Sequence, residues 1–312
     1  MHVPVLAGPA LEWLAVRGEG TYVDCTAGAG GHSELIAQQL TTGRLISLDR
    51  DEVAVGLARE RLKQFPNACV VHTNYDALAE VLTQLKIEQV DGVLIDAGFS
   101  SMQLDDPLRG FSFQDDGPLD MRMDRGRGEP ASDYLRHVSS ETLEHVLKTY
   151  GDIGPAKRIA RQILADAANG KLNTTSDLCR SVSEALPFVQ GQPDEVRTVF
   201  QAIRIAVNDE LTSLERALEQ AIAALAPNGR VVAIAFHSGE DRVVKHVLQR
   251  WSRRQRELTP DGRVRRTIEP LIEVLTPKPV LPDEAECRAN SRSRSAKLRA
   301  AKKVAIEEQG ES

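Results

Sequence analysis

The sequence predicts a Rossmann-like α/β sheet interrupted by an all-helical insertion. Three observations carry this. A short apolar run followed by a helical run recurs four times within roughly the first 100 residues, the alternation of a doubly wound sheet. The first of these runs leads into a glycine cluster, Thr21–Ser33 (TYVDCTAGAGGHS). From about Asp105 the alternation stops, five helical runs follow, and a strand-like run returns at Val231–Phe236.

Tyr22-Val23-Asp24-Cys25 is β-prone and too short for a helix, so it reads as a buried parallel strand delivering its end to a ligand. Gly28, Gly30 and Gly31 let the backbone approach that ligand closely. The following SELIAQQL sets Leu35, Ile36 and Leu40 at helical spacing, which puts the loop at a helix N-terminus, where nucleotide-type cofactors bind. Glycine-rich strand-to-helix turns also serve packing, so the motif alone leaves both readings open. A second strand, Leu45–Leu48, ends on Asp49, 21 residues after Gly28. A carboxylate at that spacing can accept from both hydroxyls of a ribose. Asp51 directly precedes EVAVGLARERL and reads as a helix cap.

A dinucleotide fingerprint would carry a third glycine at Ser33 and leave room for a pyrophosphate. Here Asp24 closes the strand, and an anion there repels phosphate and suits a cation. S-adenosylmethionine has no phosphate, carries an ammonium and a sulfonium, and offers a ribose to Asp49. It is favoured over a nicotinamide dinucleotide.

Residues 68–74 form the third strand-like run, and Tyr75 beyond it is a candidate to lie against an adenine ring, with half-buried packing as the other reading. The fourth, Val93–Ile95, ends on Asp96. Asp24, Asp49, Tyr75 and Asp96 thus fall at one edge, the C-terminal ends of the strands, where such sheets bind ligands.

The segment 105–130 is dense in Gly, Pro and charge, which excludes a central strand or a regular helix. Five helical runs follow, the last spanning 193–227 without a break. PAKRIARQILADAA is amphipathic, with Ile159, Ile163 and Leu164 on one face and Lys157, Arg158 and Arg161 opposite. The returning strand Val231–Phe236 ends on His237 and Ser238, which makes them candidates for contact with the methyl acceptor. An arginine-rich loop and a final hairpin then close the sheet. The expected domains are 1–104 and 206–312 as two parts of one domain, with 105–205 as a substrate-recognition insertion.

A net charge of −6 does not announce a nucleic-acid binder, yet seven arginines lie between Arg250 and Arg266, Arg253, Arg254 and Arg256 among them. A second basic cluster spans 288–303. A basic face on an acidic protein fits a polyanion such as RNA; a solvated loop and a basic tail are the other explanation of such runs. Four cysteines, 25, 69, 179 and 287, are scattered without metal spacing, so reduced thiols and no metal are expected. The N-terminus carries no signal-peptide pattern, and no run of apolar residues is long enough for a membrane span, so a soluble cytoplasmic protein is expected. Glu307–Ser312 reads as a polar tail.

With these residues in place, the chain resembles the bacterial 16S ribosomal RNA cytosine-N4 methyltransferases, the RsmH or MraW family, over nearly its whole length. The resemblance rests on HVPVL (2–6), DCTAGAGGHS (24–33), LDRD (48–51), RGFSFQDDGPLDMRMD (109–124), KRIARQI (157–163), TVFQAIRIAVNDEL (198–211), NGRVVAIAFHSGEDRVVK (228–245) and SRSRSAKLR (291–299). It implies a class I methyltransferase fold with a helical insert, S-adenosylmethionine as donor, and a cytosine in the decoding region of 16S rRNA in the small ribosomal subunit as acceptor. The implied cofactor positions are Gly30, Gly31, His32, Asp49, Tyr75, Asp96 and Gln103. The chain departs from the family pattern at Ala7–Ala10, Ala29, Phe99, Met102, Ile153 and Gly239.

The N4 amine of cytosine is a poor nucleophile, so placing it in line with the methyl group carries most of the catalysis. An acceptor for its proton adds the rest. In many amino-methyltransferases an acidic or amide residue followed by two prolines serves; here the slot reads Asp96-Ala97-Gly98-Phe99. Asp96 is expected to orient the amine, with Phe99 a candidate base-stacking face and core packing its alternative. Lys157, Arg158, Arg161 and the arginines of 250–266 are expected to hold phosphates around an unpaired base. The remaining alternatives are a paralogue acting on another RNA or a small-molecule amine, and a silent RNA-binding assembly factor.

Overall fold

A computed structural model describes residues 4–258 and 263–305, with the backbone alone at 255–258, 266 and 268. His2, Val3, Asp261 and the tail Glu307–Ser312 lie outside the described residues. The elements in chain order are α1 (Ala7–Leu14), β1 (Thr21–Asp24), α2 (Gly31–Ala37), β2 (Arg44–Asp49), α3 (Glu52–Leu62), β3 (Ala68–His72), α4 (Leu78–Gln84), β4 (Val90–Asp96), α5 (Ser101–Asp105), α6 (Ala131–His137), α7 (Ser140–Gly151), α8 (Ala156–Ala168), α9 (Thr175–Ala185), α10 (Glu195–Asn208), α11 (Glu210–Ala224), β5 (Leu225–Ala235), α12 (Ser238–Trp251), β6 (Gln255–Leu258), β7 (Val264–Ile268), β8 (Ile272–Val274), α13 (Glu284–Ala289) and β9 (Lys297–Lys303). None of the described helices is long and apolar enough to cross a membrane.

The chain divides into two compact units, Met1–Gly98 with Leu211–Ser312, and Phe99–Glu210. The first is built on a seven-stranded sheet in the order β3-β2-β1-β4-β5-β9-β8. The five strands from β3 to β5 pair in parallel, and β9 runs antiparallel between β5 and β8. Alternate residues of each strand feed opposite layers. Val23, Ile46, Val93, Ile95 and Val231 pack with Leu78, Leu218 and Val247 on one face. Tyr22, Leu45, Leu94, Val232 and Ile234 pack with Leu6, Leu14 and Ile36 on the other. A central strand buried on both faces needs near-continuous apolar sequence, which is why these runs are short and hydrophobic rather than alternating with polar residues.

The second unit has its own core on α6–α10, with Leu135, Leu143, Ile159, Ile163, Leu178 and Ile203 fully buried. The irregular stretch 105–130 packs into it through Leu119 and Met121. Asn208 fixes that stretch, donating to the Met121 carbonyl at 2.7 Å and accepting from the Met123 N–H at 2.8 Å.

Three local expectations change. The helical run 193–227 is broken at Asp209, whose φ of 49° is left-handed, so α10 and α11 are separate helices. The arginine-rich loop contains an antiparallel two-stranded ribbon, β6–β7. The closing hairpin is an antiparallel β8–β9 pair, but the residues joining its strands include α13, and β9 inserts beside β5.

Candidate functional site

Register sets the site. Asp24 at the end of β1 pairs with Ser47 of β2 and Leu94 of β4, so Asp49 and Asp96, each two residues further along, project beyond the same edge. The three carboxylates sit on adjacent strands, and each is stabilised differently.

Asp24 is fully buried. It accepts from Ser33 Oγ at 2.6 Å and from the Thr26 N–H at 3.1 Å, and Ser33 Oγ also lies 2.9 Å from Ser47 Oγ. Asp24 is therefore engaged in fixing the start of α2. Asp49 accepts from the Gly28 N–H at 2.7 Å and the Asp51 N–H at 2.8 Å. Burial pushes its carboxyl up to about 6 against the pull of those N–H groups. Asp51 accepts from the Val53 N–H at 3.1 Å, capping α3. Asp96 is raised well above the usual carboxylate range, first by burial and then by Asp24 and Glu240. Its Oδ1 has no hydrogen-bond partner. Its Oδ2 lies 3.6 Å from His32 Nδ1, while His32 Nε2 is 3.0 Å from the Val5 carbonyl. A carbonyl can only accept, so Nε2 carries a proton and Nδ1 is the atom turned toward the acid.

The glycine loop is open where a ligand would lie. Gly28 has a φ of 52°, and a Cβ built there would meet nothing within 4 Å. Gly30, at φ 81°, is pressed against α3, where a Cβ would lie 3.3 Å from the Ala58 Cα and 3.1 Å from Arg61. Arg61 donates to the Ala29 carbonyl at 3.1 Å and pairs with Glu34 at 3.3 Å, clamping the loop to the helices on either side. Gly31 opens α2 beside Pro4. Tyr75 begins a 3₁₀ turn just past β3 and packs half-buried against the core.

At the end of β5, Glu240 accepts from the N–H groups of Phe236 and His237 at 2.7 and 3.2 Å. His237 Nδ1 in turn accepts from those of Gly239 and Glu240 at 3.1 and 3.4 Å. The lone pair of His237 is thus spent on capping α12, its Nε2 lies 3.1 Å from Glu240 Oε1, and Ser238 is the first residue of the helix. Among the described residues, neither arginine nor lysine makes an ion pair with Asp24, Asp49 or Asp96. A cluster of buried and half-buried acids without a fixed counter-cation fits a cationic ligand, and the unmatched Asp96 oxygen fits an N–H donor.

The second unit places its own candidates. Gln103 is buried on α5, where its Oε1 accepts from the Ser100 N–H at 2.9 Å in a capping box. Phe99, 38% exposed, stacks on Phe111 with centroids 5.9 Å apart, and the Arg204 guanidinium lies 4.4 Å from its centroid. That guanidinium is held in turn by Glu210 at 2.8 and 3.0 Å. Lys157, Arg158 and Arg161 are exposed on α8.

In the first unit, Arg253 and Arg254 are exposed beyond α12, with Arg254 paired to Glu269 at 3.0 Å. Arg256 lies on β6, its side chain outside what is described. The other basic cluster is largely structural. Arg299 is buried in a two-point contact with Asp241, Lys302 meets Glu273, and Lys303 donates to two backbone carbonyls. Sequence reading missed Thr26, Glu240 and Arg61 as builders of this edge. The only local signal was that each lies within a few residues of a chosen position or on the helix after it.

A family model described as the MraW methylase family matches residues 1–304. Ribosomal RNA small subunit methyltransferase H of Methylobacillus flagellatus is 43% identical over 312 residues, 98% of this chain and 95% of that protein. An rRNA methylase from Streptococcus thermophilus aligns over 98% of this chain and 100% of its own at a TM-score of 0.44 and 11% identity. A putative methyltransferase from Streptococcus mutans, solved in complex with SAH, aligns over 97% and 100% at 0.44 and 10%.

Proposed function

Because the chain belongs to the MraW methylase family, we propose that it transfers a methyl group from S-adenosylmethionine to the N4 amine of a cytosine in the decoding region of 16S rRNA. The observation that carries this reading is the trio Asp24, Asp49 and Asp96 on adjacent strand ends, the first buried and the other two half-buried, beside a glycine loop that leaves Gly28 open.

When bound, the donor supplies an electrophilic methyl on a sulfonium. Asp49 would accept from the ribose hydroxyls while its two backbone bonds hold it in place. Gly28, Gly30, Gly31 and His32 would line the loop beside the donor. Asp24 would contribute negative potential and Tyr75 an adenine-facing ring. Asp96 would accept an N–H of the cytosine amine on its unmatched Oδ1, aim the nitrogen at the methyl, and receive the proton that the methylated nitrogen sheds, becoming neutral as it does so. His32, turned toward the other oxygen, provides a place for that proton. Ser238 stays a candidate acceptor contact, whereas His237 would act through the cap it makes. Arg253, Arg254, Arg256 and the α8 cations would hold phosphates, and Phe99 would offer ring surface to an unpaired base. Action on small-subunit rRNA supports a cytoplasmic location.

Small ribosomal subunits lacking the modification, incubated with the protein and S-adenosylmethionine and digested to nucleosides, should yield N4-methylcytidine at one position by mass spectrometry. No transfer to either subunits or free 16S rRNA would overturn the proposal.

A further inference from the structure

Phe188 is the most exposed large hydrophobic side chain among the described residues, at 68%. Nothing in its position is accidental looseness: it follows α9 in a tight turn closed by the Val189 N–H to the Leu186 carbonyl at 3.0 Å, and Leu186 is buried in the helical core. The turn therefore holds the ring outward. The Arg158 guanidinium lies 4.8 Å from its centroid, a cation–π contact. Lys157 and Arg161 are exposed beside Arg158 on α8, and no ion-pair partner holds any of the three among the described residues. The acids of the neighbourhood are occupied. Glu144 is paired with Lys148, and Glu184 binds Gln162 at 3.0 Å and lies 4.0 Å from Arg180.

From this juxtaposition we infer that Phe188 and Arg158 form a stacking platform for an unpaired nucleobase, with Lys157 and Arg161 holding the phosphates on either side of it. The inference rests on the RNA reading of the proposed function and adds to it a site on the helical unit. An aromatic face and a guanidinium plane are both surfaces on which bases stack whatever their identity, and adjacent cations that make no ion pair among the described residues supply the backbone attraction. A duplex hides its base faces, so the platform selects single-stranded segments. A protein partner would need a wider apolar patch. Here Phe188 and Val189 are bordered by exposed Gln190 and Gln192 and by the cations.

The test measures binding of a single-stranded RNA of about 12 nucleotides and of a duplex of the same length by fluorescence anisotropy, using the full chain. Phe188→Ala should weaken single-strand binding about tenfold and leave duplex binding unchanged, while Phe188→Tyr binds as wild type does. In Phe188→Trp, added single-stranded RNA should quench fluorescence beyond the wild-type change, which a merely structural ring would not do. Thermal melting of each variant checks folding. Single-strand binding unchanged in Phe188→Ala, or weakened equally for the duplex, overturns the platform alone. Wild-type protein that binds neither RNA overturns the RNA reading, and the platform with it.

Discussion

Two regions of this chain concentrate charge, and they handle it in opposite ways. At the sheet edge Asp24 is buried and Asp49 and Asp96 are half-buried, and the cluster is held by Ser33, Thr26 and the N–H groups of Gly28 and Asp51. On α8 and next to the β6–β7 ribbon, Lys157, Arg158, Arg161, Arg253 and Arg254 stand in water. A buried carboxylate is costly unless hydrogen bonds or a bound cation compensate it, so each is fixed to a particular geometry. An exposed cation costs little and fixes none. The difference teaches that the edge should decide which small molecule binds and reacts, and the cationic faces how tightly a polyanion is held. Damage to one should leave the other intact.

The largest effect should come from Asp96→Ala. Loss of the acceptor oxygen should slow single-turnover methyl incorporation into small-subunit rRNA about 10³-fold, with RNA affinity unchanged. A variant retaining more than a tenth of the rate would break the division by removing chemistry from the edge. Next, Arg253→Glu with Arg254→Glu should weaken rRNA binding about 100-fold at low salt and flatten the plot of log affinity against log salt by about two phosphate contacts, with donor binding unaltered. Ser33→Ala sharpens the other side. It strips a bond from a buried carboxylate and should cost about 1–3 kcal/mol in urea unfolding, without touching RNA affinity in the folded protein.

The smallest effect is a pH dependence confined to the edge. In the fold the Asp49 carboxyl is held at about 6, above its ordinary 3.8, so the folded chain binds this proton more tightly than the unfolded one. The Asp49 contribution to stability should therefore rise as pH falls from about 6 toward 3.8. Donor affinity should move the other way, falling about tenfold per unit below pH 6, because the ionised form accepts from the ribose. Asp49→Asn should remove both dependences, measured by melting and by equilibrium binding across that range.

Strand-end acids were legible because parallel strands need apolar runs, and a polar residue closing such a run has few places to go except the ligand edge. The Asp51 cap was legible from its position before a helical run. What came from tertiary contact was not. Thr26 donates nothing recognisable in sequence, yet its hydroxyl accepts the Asp96 N–H at 2.7 Å and ties β4 to the glycine loop. The break at Asp209 leaves the apolar periodicity of 193–227 intact on both sides, so only the left-handed residue reveals it. The clearest case is the pair of basic clusters. By composition 250–266 and 288–303 are alike, but Arg299, Lys302 and Lys303 are consumed in seating β9, while Arg253 remains exposed. Charge counts cannot distinguish a cation that builds a sheet from one that meets a phosphate.

The division of labour is tested most directly by calorimetric titration of S-adenosylmethionine into the wild type, Asp49→Ala, and the Arg253→Glu/Arg254→Glu variant. The wild type should bind, Asp49→Ala should bind about 100-fold more weakly after losing the charged acceptor for two hydroxyls, and the arginine variant should match the wild type. Unaltered affinity in Asp49→Ala, or its abolition in the arginine variant, would contradict the account.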